Sequence, residues 1–253
     1  MVNWQKLKDI MIRCWKENVK IQSTSSDPLN PVVVRESVPV LWFGDIDSYA
    51  ESKKRVVTVG INPSKQEFVP TRRFPISMSP TPPSFWDYKS AMSQYFSYNP
   101  YLRWFSPNEC ALNACDSTYG GKVKHYEGVE SPITNTGLHI DIVAPLATKP
   151  WGRLTPLEQS DLTKRFSGVF DELVEALDPD VLIFPIKLST YFKTFSGTLV
   201  SSKTVHLESH TYTVNKYKGR IGSKERVVIE GWNGTTPFPF VSKSVIYSAI
   251  YEI

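Results

Sequence analysis

Three polar side chains stand where predicted strands end, and residues of these types can orient water or hydrogen-bond a ligand. Asn62 follows the β-branched run at 55–61, and Asp141 lies in the apolar run at 138–143. The third, Asn233, follows the last predicted strand. An amide both donates and accepts hydrogen bonds, whereas an ionised carboxylate only accepts them. We take these strand ends as the candidate site.

The alternation of extended and helical segments predicts an α/β fold. Apolar runs of strand length, typical of buried parallel strands, occur at 38–43, 55–61, 138–143, 181–184 and 226–230. Helical patterns occur at 4–18, 84–96, 155–177 and 188–196, and a hairpin-like region at 203–217. Ligands of such sheets bind beyond the carboxyl ends of the strands. The fold class therefore favours a site at the strand ends named above.

Two segments have no regular pattern. Residues 64–83 are rich in proline, which excludes helix there, and we predict a loop. Residues 98–136 are irregular and polar-aromatic, and their length predicts a functional insertion. Because no internal repeat or low-complexity tract interrupts the chain, we predict a single domain over residues 1–253.

The composition narrows the class of protein. Of 253 residues, 41% are hydrophobic and 21% charged, which is typical of globular chains. No run of eighteen apolar residues and no apolar signal core occur, which predicts no membrane partner and a cytoplasmic location. The three cysteines, Cys14, Cys110 and Cys115, leave one unpaired and lack the spacing of a structural metal site. We expect a monomer with no metal and no cofactor.

Charge and aromatic content are compatible with a polyanionic partner without demanding one. The formal net charge is +4, from 29 basic and 25 acidic residues, and the pI is about 8.8. Aromatic residues make up 13% of the chain and include seven Trp. We expect most of them to form the core and a minority to stack on bases.

The motif around Asn62 resembles a known family. A buried strand ends in Gly-Ile-Asn-Pro-Ser at 60–64, the pair Phe74-Pro75 follows, and Ser84-Phe85-Trp86 opens a helix. This order resembles the uracil-DNA glycosylase superfamily, closest to its mismatch-specific uracil/thymine branch and to related bacterial and antiphage-defence glycosylases. The resemblance extends over residues 38–245 at the level of motifs. It implies a three-layer α/β/α fold with a central, mostly parallel four-stranded sheet.

The resemblance also implies roles for individual residues. Asn62 matches the family residue that holds a water near the anomeric carbon, and Asn233 stands in the place of the last motif's His or Asn. Ile61 and Phe74 would contact the flipped base, with Phe68 as the competing stacking residue. The alternative for Phe74 is packing in the core.

DNA contacts are implied at both ends of the resemblance. Backbone amides and hydroxyls would bind phosphates, and an apolar wedge would enter the duplex. The residues concerned are Ser64, Lys65, Thr235, Thr236, Phe238, Phe240 and Lys243. If Phe238 and Phe240 form the wedge, their replacement by Ala should impair excision from duplex DNA more than from single strands. The alternative for this pair is burial in the core.

Asp141 departs from the family pattern, because the matching residue there is an Asn that reads uracil. A carboxylate would repel the exocyclic oxygen of uracil but accept a hydrogen bond from the exocyclic amine of cytosine. The alternative is a structural role for Asp141. His139, which points to the same face of a regular strand, is more often a core residue.

The chain is therefore expected to be a monofunctional DNA glycosylase, an enzyme that flips a base from DNA and hydrolyses its N-glycosidic bond. Because removal of plain cytosine would destroy the host genome, a phage-modified cytosine is the expected target. Repair of uracil or mismatched thymine is the alternative, as is a catalytically weak DNA-binding member of the family. An unrelated nucleotide- or phosphate-binding enzyme is disfavoured because no glycine-rich phosphate loop is present.

Overall fold

The computed structural model describes residues 1–68, 73–123, 133–192, 195–206, 211–233 and 236–237. The helices are α1 (Trp4–Ser23), α2 (Ile46–Glu51), α3 (Phe85–Ser93), α4 (Tyr95–Tyr98), α5 (Leu102–Ala114), α6 (Pro156–Arg165), α7 (Val169–Leu177) and α8 (Leu188–Tyr191). The strands are β1 (Val56–Gly60), β2 (Ser117–Thr118), β3 (Asn135–Thr136), β4 (Leu138–Asp141), β5 (Val181–Phe184), β6 (Gly197–His206), β7 (Thr211–Ile221), β8 (Lys224–Asn233) and β9 (Thr236–Pro237). Short 3₁₀ turns cover Lys65–Glu67 and Trp151–Arg153.

A mixed, mainly parallel sheet forms the centre of the fold, which confirms the α/β prediction. Strands β4, β1, β5 and β8 pair in that order and run parallel. The expectation of four strands is wrong, because β7 and β6 extend the order to six and the short β9 pairs with β8. The hairpin-like region predicted at 203–217 corresponds to the antiparallel pair β6 and β7, and β7 hydrogen-bonds along β8, so it covers an edge that would otherwise expose unpaired backbone groups.

Strand β1 lies between β4 and β5 and is buried over its whole length. Its continuous apolar pattern therefore predicted its central position correctly. The helix at 4–18 is confirmed and extends to Ser23, with Asn3 as its N-cap. Ser84 caps α3 as predicted, because its hydroxyl accepts a hydrogen bond from the backbone N–H of Asp87.

Three predicted elements differ in the structure. The run at 38–43 is buried but forms only an isolated bridge from Phe43 to His139, since Pro39 has no N–H to donate to a ladder. The helix at 155–177 is two helices, because Gly168 adopts a left-handed conformation with φ of 83°. The segment at 98–136 is not irregular throughout.

That segment contains the thirteen-residue helix α5 and the short strands β2 and β3. Its helical pattern was hidden because Pro107 lies inside the helix and the buried face carries polar residues, namely Asn108, Glu109 and Asn113. The buried polar groups find local partners: Glu109 accepts hydrogen bonds from the Thr118 hydroxyl and the Tyr119 backbone. The described parts of this segment, residues 98–123 and 133–136, thus contribute to the core.

Aromatic rings fill the region between α3, α5 and the sheet, as their high content suggested. Phe43 contacts Phe74, Tyr95 and Phe105 at ring-centroid distances of 4.9–5.6 Å. The three cysteines lie within the described residues, where they are buried and form no disulfide. Within the described ranges, no helix combines the length and apolar character that crossing a membrane requires.

Asp178 lies between α7 and the first residue of β5, at the opposite end of the strands from the candidate site, and it is buried among cationic groups. Its carboxylate lies 2.8 Å from Lys224 Nζ and 3.3 Å from the guanidinium groups of Arg55 and Arg226. Burial opposes its ionisation, but the hydrogen bonds from Lys224 and the charge of Arg55 outweigh burial and hold the pKa of Asp178 below its usual range.

We expect Asp178→Asn to lower the free energy of unfolding by about 3 kcal/mol at neutral pH, because it leaves the buried Arg226 without its counter-ion. Asn tolerates the left-handed backbone found at this position, where φ is 50°. Since the folded-state pKa is lowered, the stabilisation is complete above the ordinary Asp range and is lost as the pH falls toward the folded-state value. Urea unfolding at pH 7 and pH 3 measures both effects; an equal difference between variant and parent at the two pH values contradicts the assignment.

Candidate functional site

The ends of β1 and β4 lie side by side, so the two chain segments with candidate polar residues meet. Gly60 is in register with Asp141, and pairing continues past both strands through a hydrogen bond from Ile142 N to Gly60 O. Carboxyl ends of parallel strands share one edge of a sheet, which is where ligands of such folds bind. Adjacency of Asn62 and Asp141 follows directly from this pairing.

A cavity of about 220 Å³ opens at this edge. It is lined by Phe43, Ile61, Asn62, Pro63, Ser64, Glu67, Tyr101, Trp104, Phe105, His139, Asp141, Thr148, Lys149, Pro150 and Trp151. Pockets for drug-sized molecules occupy roughly 300–1,000 Å³, so this cavity suits one ring system with its substituents. The surface of its walls is mainly apolar and includes five aromatic residues, which is typical of a site that recognises a flat molecule.

The amide of Asn62 is held in one orientation. Its Nδ2 lies 2.9 Å from Thr148 Oγ1, 3.2 Å from Leu146 O and 3.1 Å from Pro63 O. These acceptors identify Nδ2 as the end that faces the protein. Within the described residues, no hydrogen bond reaches Oδ1, so this oxygen is free to accept one from a water or a ligand.

Asp141 is the least satisfied polar group at the site. The residue is 7% exposed, and its Oδ2 is buried without any hydrogen-bond partner in the described part of the chain. Its Oδ1 lies 3.6 Å from His139 Nε2. Burial raises the pKa of Asp141, and His139 only partly opposes this rise. A buried orphan oxygen is costly, and a ligand that donates a hydrogen bond here would remove that cost.

The hydroxyl groups of Thr58 and Tyr119 position the ring of His139 on the side of Nδ1. Thr58 Oγ1 lies 2.8 Å from His139 Nδ1 and also contacts the hydroxyl of Tyr119. If Thr58 donates to Nδ1, the proton of the neutral imidazole lies on Nε2, the nitrogen that faces Asp141. The chain of contacts fixes the ring plane of His139 and links the end of β4 to the core.

Gly60 makes room for this pair. A Cβ at Gly60 would collide with Asp141 Oδ1 and would lie 2.7 Å from His139 Nε2. The glycine of the 60–64 turn is thus required by the close approach of these two side chains and not by a positive φ.

Glu67 is a second buried carboxyl at the cavity, and sequence reasoning did not single it out. It ends the 3₁₀ turn that follows Ser64, and it is 2% exposed. Tyr95 donates a hydrogen bond of 2.6 Å to Glu67 Oε2, and Arg73 Nε lies 3.8 Å from the same oxygen. Burial nevertheless raises the pKa of Glu67 to about 7. Its sequence signal is weak, because an isolated Glu in a proline-rich loop usually lies in solvent.

The aromatic residues that face the cavity are not the predicted ones. Phe74 is 2% exposed and stacks on Tyr95 and Phe68 in the core, and neither Phe74 nor Phe68 is among the lining residues. The cavity walls are instead built by Phe43, Tyr101, Trp104, Phe105 and Trp151. Tyr101, Trp104 and Phe105 belong to the segment at 98–136. The sequence predicts a functional role for this segment but did not single out these three residues.

The remaining predicted residues divide into two groups. Ile61 and Ser64 line the cavity, and Ser64 Oγ accepts a hydrogen bond from Gln66 N as the cap of the 3₁₀ turn. Lys65 is exposed beside them. The backbone of Asn233 ends β8 and pairs with Thr236 of β9; β5 separates β8 from β1. The predicted residues Thr235, Phe238, Phe240 and Lys243 lie outside the described residues, as do the side chains of Asn233 and Thr236.

The lysine that lines the cavity forms an ion pair with a residue outside the cavity. Lys149 lines the cavity, and its Nζ lies 3.2 Å from Glu158 Oε1. Across the described ranges, no group of three or more His, Cys, Asp and Glu side chains is arranged to hold a metal ion.

Comparisons with protein-family models, with curated proteins and with solved structures each found no match.

Proposed function

We propose that this protein is a DNA glycosylase that takes a flipped-out base into the cavity and hydrolyses its N-glycosidic bond. One observation carries the proposal: Asn62, whose Oδ1 accepts no hydrogen bond in the described residues, and Asp141, whose Oδ2 has no partner there, line the same cavity at adjacent strand ends. Such hydrolysis needs a positioned water and a group that reads the base, and these two side chains have the required chemistry. The motif resemblance at 60–64 agrees with this assignment.

In this mechanism Asn62 orients the attacking water without taking its proton. The amide is anchored through Nδ2 by Thr148 and Leu146, so Oδ1 accepts a hydrogen bond from water at a defined place. Orientation of a reactant by a rigid group lowers the entropic part of the barrier. The base lies among the aromatic walls, where a flat ring gains stacking contacts.

Asp141 gives the site its base preference. The unpartnered Oδ2 matches the N–H of an exocyclic amine, as on cytosine, and a protonated Asp141 would also donate to the ring nitrogen beside it. A carbonyl oxygen, as on uracil or thymine, would face an ionised Asp141 with like charge. We therefore propose a cytosine-type base as substrate, and one with a five-position substituent because plain cytosine is abundant in every genome.

Several further features belong to this proposal. The parallel strand order β4-β1-β5-β8 supports a three-layer arrangement like that of the resembled superfamily. The net charge of +4 and the exposed Lys65 beside the cavity support DNA as the partner. The three buried cysteines form no disulfide in the described structure, which supports a cytoplasmic location, and we propose that the protein acts as a monomer.

The test is abasic-site formation on matched duplex and single-stranded oligonucleotides. They carry cytosine, 5-hydroxymethylcytosine, glucosylated 5-hydroxymethylcytosine, uracil or a G·T mismatch at one position. We expect alkali-labile strand cleavage at a modified cytosine. Cleavage at uracil or mismatched thymine alone would assign the protein to base-excision repair, and binding without cleavage of any oligonucleotide would assign it as a DNA-binding protein without glycosylase activity.

A further inference from the structure

The cavity is acidic, which is unusual for a site from which a base departs as an anion. Glu67 and Asp141 both line it, and the charge of Asp141 raises the pKa of Glu67. A base that leaves with its bonding electrons and no proton would be repelled by these groups. A base that takes up a proton as it leaves would not be repelled.

Glu67 is placed to hold such a proton. The described hydrogen bond and ion pair both reach Oε2, from Tyr95 and Arg73 respectively. Tyr95 is itself fixed, because its hydroxyl accepts a hydrogen bond from Tyr101 N at 2.9 Å. Arg73 is anchored in turn by the backbone oxygens of Gln66 and Asn99. The carboxyl group is therefore held in place and almost fully buried, and Glu67 is one of the residues that line the cavity.

We propose that Glu67 is a general acid that protonates the departing base, and that the substrate base has a ring nitrogen basic enough to accept this proton while the glycosidic bond breaks. This inference rests on the proposed function and adds to it a catalytic residue and a chemical property of the substrate. A cytosine-type ring has a basic nitrogen beside its exocyclic amine and meets this requirement.

The bond between the anomeric carbon and the ring nitrogen breaks, its electron pair stays with the base, and the proton of Glu67 is transferred to the base. The water oriented by Asn62 forms the new bond to the anomeric carbon and releases its second proton to solvent. Glu67, now ionised, regains a proton from solvent before the next turnover.

The charged groups around Glu67 agree with this role. Burial raises the pKa of Glu67 to about 7, and Asp141 acts in the same direction. Tyr95 and Arg73 lower it, and their opposing effect keeps the proton transferable. A general acid works best with a pKa near the working pH. His139 and Lys149 also line the cavity, at the end of β4 and beside Glu158.

The experiment is the pH dependence of excision by the full chain, with the oligonucleotide that the parent cleaves. We expect parent activity to fall about tenfold per pH unit above pH 7, because only protonated Glu67 is active. Glu67→Gln should lower excision about a hundredfold or more and remove this decline. Glu109→Gln is the matched control: Glu109 is equally buried with a pKa raised to about 7, but it does not line the cavity. It should retain the decline.

A second variant, Tyr95→Phe, tests the proposal independently in case Glu67→Gln does not fold. Tyr95→Phe removes the hydrogen bond that favours the charged carboxylate, so the decline should move to higher pH, which loss of packing alone would not cause. A Tyr95→Phe profile that stays in place, or parent-like rate and profile in Glu67→Gln, overturns the role of Glu67 and leaves the proposed function intact. Absence of abasic sites with every oligonucleotide overturns both proposals.

Discussion

Asn62→Ala is expected to reduce base excision at least about tenfold while the protein remains folded, because the attacking water loses the group that orients it. The free Oδ1 of Asn62 is the only part of the amide that its protein contacts leave available in the described structure. Single-turnover excision on the oligonucleotide that the parent cleaves measures the effect. Single-turnover conditions separate the chemical step from product release.

The same substitution also removes hydrogen bonds to Leu146 and Thr148, so a control for stability is needed. Asn18 is fully buried and donates to Ser37 O at 2.8 Å, far along the chain from the cavity residues. We expect Asn18→Ala to lower the unfolding free energy by a similar amount without changing the excision rate of the folded protein. Parent-like excision by Asn62→Ala would show that Asn62 does not position the water.

Asp141→Asn is expected to change which base is removed. An amide donates to the exocyclic oxygen of uracil and accepts from its ring N–H, whereas the parent carboxyl matches an exocyclic amine. We expect the ratio of uracil to modified-cytosine excision to rise about tenfold to a hundredfold, equivalent to the roughly 1–3 kcal/mol that a good pair of hydrogen bonds to a base contributes. Competition between two labelled duplexes in one reaction measures this ratio directly.

Asp171→Asn is the matched control, because it makes the same chemical change on the exposed side of α7. Its preference should equal that of the parent. If the parent itself removes uracil efficiently and leaves modified-cytosine DNA intact, Asp141 does not select an amine, and the repair function is the better assignment.

Loss of an acid at position 141 also affects Glu67, so the two substitutions are coupled. Removing the charge of Asp141 removes one cause of the raised pKa of Glu67. The decline of activity with pH in Asp141→Asn should therefore begin at lower pH than in the parent. The effects of Asp141→Asn and Glu67→Gln are not expected to add, because residues that share one cavity interact.

Local sequence signals predicted the elements that position the site. The apolar runs at β1 and β5 are continuous because both faces of a central strand are buried, and this pattern is unambiguous. Ser84 was recognised as a cap from its residue type and the helical pattern after it. The less regular α5 was missed, because its buried face uses polar residues whose partners come from β2 and the residue after it.

By itself, the sequence determined that Asn62 and Asp141 stand at strand ends of one parallel sheet, since strand periodicity and turn chemistry are local properties. Only the tertiary structure decided which buried residues face the cavity. Phe74 and Glu67 both lie in or beside the proline-rich loop and both are 2% exposed, yet only Glu67 lines the cavity. Hydrophobicity predicts that a side chain is buried, but the direction it takes depends on packing against segments distant in the chain, such as α4 and α5. The orphan oxygen of Asp141 and the raised pKa of Glu67 arise from that packing.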